Sequence, residues 1–239
     1  SIAKIFGSEA LGRCVDEAVQ VFGGYGFMEE YPIAHAYRDY RINRIFEGTN
    51  EVNRLVAAGT LFQRSLDGKI DLMSAFPEID SQINSGQAAD FAGPETPVGL
   101  RDSVNLVERA KRAAIYSVMK GAMKFMSNMR EEQEFLEGAA NQLINIFAMD
   151  SAVARALEAA KSGDDAHTHE LLARMSVLNL IEPTRQAMEA VIKMTFEGQE
   201  RSEELARVRR YLGDPEESIV PLQRELADLV AAKGQYPLR

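Results

Sequence analysis

Residues 20–51 read QVFGGYGFMEEYPIAHAYRDYRINRIFEGTNE, and this stretch decides how the chain folds. Gly23-Gly24 closes whatever helix precedes it, because glycine accepts the left-handed backbone that a helix end requires. Gly26 prolongs the turn, and Tyr31-Pro32 marks the next helix start, where proline has no amide to waste. A short charged helix is expected over 33–45. Glu47 then stands between Phe46 and Gly48, just ahead of the helix-starting pair Thr49-Asn50. An apolar neighbour can desolvate a carboxylate, and a glycine lets a ligand come close to the backbone. Both suit a general base.

Upstream, Ile2, Ile5, Phe6, Leu11, Val15, Ala18 and Val19 recur at helical spacing, which predicts one amphipathic helix over 1–21. Downstream, a third helix is expected from about Glu51 to Leu66, stopped by Asp67-Gly68, and a weaker element to about Asn84. Ser85–Gly99, SGQAADFAGPETPVG, holds three glycines and two prolines in fifteen residues and reads as a linker. Beyond it Leu100, Val104, Val107, Ala110, Ala114, Val118, Ala122 and Phe125 share one helical face. Further helices are expected over 130–162 and 165–197, with Pro183 kinking or splitting the latter. Asp214-Pro215-Glu216-Glu217 has the composition of another helix start. No stretch reads as a strand and no internal repeat is present. The expected class is all-α, divided as 1–75, a connecting segment 76–99, and a second helical domain 100–239.

The 239 residues carry a formal net charge of −9, which disfavours a nucleic-acid partner. Cys14 is the only cysteine, so no internal disulfide can form and a reducing compartment fits. The longest uncharged run, Gly138–Met149, is too short to span a bilayer. The chain opens without Met on a sequence that is already helical, and is expected to be a fragment of a longer protein.

Several motifs have plain alternatives. Gly23-Gly24-Tyr25-Gly26 lacks the preceding strand and third glycine of a dinucleotide fingerprint, so it reads first as a helix cap. His167 and His169 point to different sides of a helix and have no cysteine beside them, so no metal site is expected. His35 has no identifiable partner and defaults to the surface. Met119, Met123, Met126 and Met129 suit core or interface packing. The mixed charges of Arg201–Arg210 suit a solvated face. Arg38, Arg41 and Arg44 could meet a phosphate or carboxylate, or simply pair with Asp39 and nearby glutamates.

Taken together, residues 17–55 closely resemble the C-terminal signature of the acyl-CoA dehydrogenases. The pattern Q-x-x-G-G-x-G-[FY]-x-x-E-[YF]-P is met by Gln20, Gly23, Gly24, Gly26, Phe27, Glu30, Tyr31 and Pro32. The pattern R-D-x-R-x-x-x-I-[YF]-E-G-T is met by Arg38, Asp39, Arg41, Ile45, Phe46, Glu47, Gly48 and Thr49. The resemblance covers roughly residues 1–75. It implies that Glu47 is the base that takes the α-proton of an acyl-CoA thioester while the β-hydride passes to FAD. It further implies that Gln20, Gly23 and Gly24 meet the adenosine diphosphate part of FAD across a homodimer interface. Thr49 and Glu51 would lie near the flavin of their own subunit. The implied product is a trans-2-enoyl-CoA and the implied electron acceptor an electron-transfer flavoprotein, in a bacterial cytoplasm or mitochondrial matrix. The added helical length is similar to that of the very-long-chain branch, where the extra domain serves dimerisation or membrane contact; the acidic charge gives no membrane signal. The competing expectation is a helical dimerisation or docking module, inactive in isolation.

Overall fold

Helices account for every regular element in this computed structural model, which describes residues 1–87 and 89–238. The first helix, α1 (Ile2–Phe22), ends at Gly23, whose φ of 59° turns the chain into the short α2 (Gly24–Phe27). Pro32 opens α3 (Pro32–Ile42). Thr49 caps α4 (Asn50–Leu66), its hydroxyl accepting the Val52 amide, and Asp71 caps α5 (Leu72–Ser85) through the Ser74 amide. Each cap satisfies an amide that the first helical turn leaves unpaired. The long helices follow: α6 (Arg101–Phe125), α7 (Gln133–Ser162) and α8 (Ala166–Thr195). Two shorter ones close the chain, α9 (Gly198–Leu212) and α10 (Ile219–Lys233). None of the described helices is long and apolar enough to cross a membrane.

Two apolar clusters hold these helices. One joins α5 through α9 around Ile83, Leu106, Tyr116, Met149, Val177, Met188 and Tyr211. The other joins α1 and α4 to the long helices: Ile5, Ala58 and Phe62 pack with Val118, Phe135, Leu136, Ala140 and Val191. The first 66 residues therefore share a core with residues beyond 100. A polar tie reinforces it, since Arg54 on α4 pairs with Glu9 on α1 at 2.8 Å and donates to Asn141 on α7 at 2.6 Å. The helices that carry the signature are buttressed from behind by the second half of the chain.

Four places differ from the sequence reading. Residues 76–85, expected to hold the end of a weaker element but counted with the connecting segment, form most of α5, and Ile79 and Ile83 enter the core. The Asp214–Glu217 stretch is not a helix start: α10 begins at Ile219 under a Ser218 cap. Its acids are drawn onto α8 instead, Asp214 to Arg185 at 2.8 Å and Glu217 to Arg174, while the Glu216 amide donates to Asp102. Charge pairing across the fold outcompetes local capping there. Next, Pro183 does not split α8, which continues from Ala166 to Thr195 with Ile181, Thr184 and Met188 buried around the proline. Tertiary packing overrides the missing amide. Last, the Arg201–Arg210 face is not uniformly solvated, because Glu204 and Val208 are buried. Of the methionines, Met119 is buried and Met129 packs on the second cluster, whereas Met123 and Met126 are exposed.

Candidate functional site at the head of helix α4

The residues singled out from the sequence fall on two corners of the α1–α4 unit. At the first corner, the Gly23 amide donates to the Gln20 carbonyl at 3.1 Å and closes α1. A β-carbon on Gly23 or Gly24 would meet nothing within 4 Å, so a ligand could reach the backbone from that side at either. Gly26 is different. A β-carbon there would lie 2.6 Å from the Val19 carbonyl oxygen, so this glycine is required by helix packing. Val21, Phe22, Tyr25, Phe27 and Met28 all project into solvent at this corner, Phe27 with 86% of its surface exposed. So many exposed apolar side chains at one corner are unusual for a free protein surface.

The second corner is the loop between α3 and α4. The Phe46 amide donates to Ile42 and the Asn50 amide reaches back to the Arg44 carbonyl, both at 3.0 Å, folding residues 43–49 into a tight arch. At its crest Glu47 has φ 54° and Gly48 φ 77°, two consecutive left-handed residues. For glutamate this conformation costs about 1–2 kcal/mol, so the surroundings must hold it. They do. The Asn53 side-chain amide donates to the carbonyls of Glu47 (3.2 Å), Gly48 (2.7 Å) and Thr49 (3.1 Å). Lys4 Nζ donates to the Gly48 carbonyl at 2.8 Å and to Asn50 Oδ1 at 2.7 Å. Fully buried Asn50 donates to Ser8 Oγ at 2.9 Å and to Glu9 at 3.2 Å.

The Glu47 carboxylate is exposed, and so is Phe46 at 47%. Among the described residues the expected desolvation by Phe46 is therefore incomplete: both Phe46 and Glu47 remain exposed. Thr49 spends its hydroxyl oxygen on the Val52 amide, 3.2 Å away. Glu51 folds back onto its own amide and the Thr49 hydroxyl, which holds its carboxyl below the usual carboxylate range, with Arg54 and Arg44 adding to the effect. No hydrogen bond or ion pair among the described residues joins the Gln20–Gly24 corner to the Glu47–Glu51 corner.

The remaining candidates sort plainly. Arg38 pairs with Glu29 at 2.9 Å on the surface, and His35 meets the Glu29 carbonyl at the same distance. His167 pairs with Glu225 at 2.8 Å. Among the described residues no cluster of His, Cys, Asp and Glu could hold a metal ion. Sequence reasoning missed Lys4, Ser8, Asn50 and Asn53. The available signal was positional: Lys4 and Ser8 are four apart on an apolar helix face, and Asn53 lies four residues after the Thr49 cap.

Residues 1–62 match a family model described as acyl-CoA dehydrogenase, C-terminal domain, and residues 101–210 match a second model of the same description. A probable acyl-CoA dehydrogenase of Bacillus subtilis (strain 168) is 35% identical over 99% of the chain and 39% of its own length. The mitochondrial very long-chain specific acyl-CoA dehydrogenase of Rattus norvegicus is 31% identical over 71% of the chain and 28% of its own length. A crystal structure of an acyl-CoA dehydrogenase complexed with FAD from Bacillus anthracis superimposes with a TM-score of 0.90 at 30% identity, across 98% of this chain and 39% of that one. The chain thus spans about two fifths or less of the length of these relatives.

Proposed function

Since the chain belongs to the acyl-CoA dehydrogenase family, we propose that it works as the C-terminal part of an FAD-dependent enzyme that oxidises long-chain acyl-CoA to trans-2-enoyl-CoA. The observation that carries this reading is Glu47, fixed on a left-handed arch at the head of α4 and presented outward. A general base needs a defined position next to the carbon it deprotonates and a dry surrounding. The arch supplies the position. The dryness has to come from a covering surface, and exposed Phe46, Ile45 and Ile42 offer it an apolar seat.

Within this arrangement Glu47 takes the proton from the carbon next to the thioester. FAD, when bound, supplies the acceptor for the hydride leaving the neighbouring carbon. The Gly23-Gly24 corner fits the diphosphate of that cofactor, because its backbone is open to approach and carries no acidic side chain of its own. The start of α4 fits a phosphate less well: Thr49 already serves an amide and Glu51 places a carboxylate there. Thr49 and Glu51 suit the uncharged flavin end. Gln20 and Gly23 would support the diphosphate corner. A homodimer would bring that corner of one subunit to the cofactor of the other, which accounts for the exposure of Tyr25 and Phe27. Electrons would then leave to an electron-transfer flavoprotein.

Preference for long acyl chains is supported by the likeness to the rat enzyme across 71% of the chain. The 239 residues alone would be inactive, a docking half rather than a complete site, because Glu47 stays exposed among the described residues. The decisive experiment replaces Glu47 by Gln in the full-length, flavin-loaded protein and follows bleaching of the flavin by a long-chain acyl-CoA. Retained FAD with a rate lowered by about a thousand-fold or more is expected. Near-normal bleaching overturns the assignment. Incubating the 239-residue chain with FAD should leave no flavin bound after gel filtration.

A further inference from the structure

We propose that Asn53 is a positioning residue for the base: its side-chain amide, together with Lys4, locks the Glu47–Gly48 arch in its left-handed form. This inference rests on the assignment of Glu47 above.

Three backbone carbonyls in a row converge on one donor group. Those of Glu47, Gly48 and Thr49 lie 3.2, 2.7 and 3.1 Å from Asn53 Nδ2. In extended backbone consecutive carbonyls point apart. They turn toward one side here because Glu47 and Gly48 both adopt positive φ. The amide group, with two N–H to share among them, is what their convergence accommodates. Its removal takes this donor from the Glu47 carbonyl, leaves Gly48 to Lys4 and Thr49 to the Asn53 backbone amide, and frees a strained glutamate to relax. The fit is close on the other side too: a β-carbon on Gly48 would stand 2.9 Å from Asn53 Nδ2.

Lys4 closes the arch from α1. Its ammonium reaches the same Gly48 carbonyl at 2.8 Å and the Asn50 amide oxygen at 2.7 Å. Asn50 is fully buried and bonded to Ser8 and Glu9, so Lys4 is tied to a fixed point of the core. The arch is clamped between α4 and α1. The Glu47 side chain receives none of these bonds, which leaves its carboxylate free while its backbone is held. A base displaced by even one ångström loses its alignment with the proton it removes.

The test is a double-mutant cycle on the full-length, flavin-loaded enzyme, with single-turnover flavin bleaching by saturating acyl-CoA as the readout. Asn53→Ala should lower the rate by about ten-fold or more, with FAD content and KM unchanged. In the Glu47→Gln background the same substitution should add less than about two-fold, because no base remains to be positioned. Lys4→Met provides a second variant with the same pattern and a smaller loss, and it carries the test if Asn53→Ala loses its flavin. An unchanged rate in both variants, with Glu47→Gln inactive, overturns the inference. Equal losses with and without Glu47 also overturn it, since they report a general structural role. A near-normal Glu47→Gln enzyme overturns the base assignment itself.

Discussion

Phe135 lies so tightly against Gly121 that a β-carbon on the glycine would stand 2.3 Å from the ring edge. The ring also stacks with Phe62 at 5.8 Å between centroids and meets Phe125 at 5.2 Å. Phe135 is fully buried and joins α7 to α6 and to α4, the helix whose first turn follows Glu47. The second half of the chain thereby fixes the site-bearing helix.

Gly121→Ala should destabilise the fold by about 1–3 kcal/mol, because the ring must move out of a packed core. Helix propensity alone predicts the opposite, a gain of about 1 kcal/mol. Chemical denaturation of the purified chain decides between the two. A variant more stable than the parent by about 1 kcal/mol would show that Phe135 can shift at no cost.

A second prediction concerns alkaline pH. The buried Tyr116 hydroxyl donates to Glu204 at 2.5 Å, joining α6 to α9. Burial first, and then the Glu204 carboxylate, push the tyrosine pKa well above its ordinary value. The folded state thus holds this proton more tightly than the unfolded chain does. Its contribution is complete below about pH 10, where an unfolded tyrosine titrates, and declines as pH rises toward the folded pKa. Tyr116→Phe should therefore flatten the alkaline loss of stability. At neutral pH it should cost about 1–3 kcal/mol, since buried Glu204 loses a donor. Denaturation at pH 7 and pH 11 measures both, and an unaltered alkaline limb would refute the account.

The helical class, the end of α1, the start of α3 and both ends of α4 were legible because glycine, proline and Thr-Asn act on the backbone locally, whereas α3, expected to reach 45, stops at Ile42. The candidate base was legible as a motif. Its support was not. Asn53 and Lys4 are polar residues on ordinary helices, and only the folding of α1 against α4 brings them onto the Gly48 carbonyl. The Asp214–Glu217 acids were misread for the same reason, since Arg174 and Arg185 lie about 30–40 residues away in sequence and claim them only in three dimensions. Solvent access to Glu47 was equally hidden. A neighbouring Phe46 suggests dryness in one dimension, yet nearly half of its surface stays exposed, 47%.

The Gly/Pro-rich stretch before α6 supplies the last prediction. Its composition suggests a free linker, but part of it is strapped down. Asn105 Oδ1 accepts the amides of Phe91 (2.6 Å) and Ala92 (3.2 Å), while its own amide donates to Asp90 at 3.0 Å. Asp90 pairs with Arg101 at 3.0 Å, and the Arg112 guanidinium lies 4.0 Å above the Phe91 ring. Asn105 is thus the polar anchor of a strap whose ring and buried Ala92 supply the apolar contact. Asn105→Ala should release the strap without unfolding α6, at a stability cost of about 1–2 kcal/mol. Limited proteolysis should then cut between residues 86 and 99 several-fold faster than in the parent chain. Asn105→Asp should do the same, because a carboxylate retains the acceptor for the two amides but repels Asp90. Cleavage at the parent rate in both variants would mean that Arg101, Ala92 and the Phe91–Arg112 contact hold the strap without Asn105.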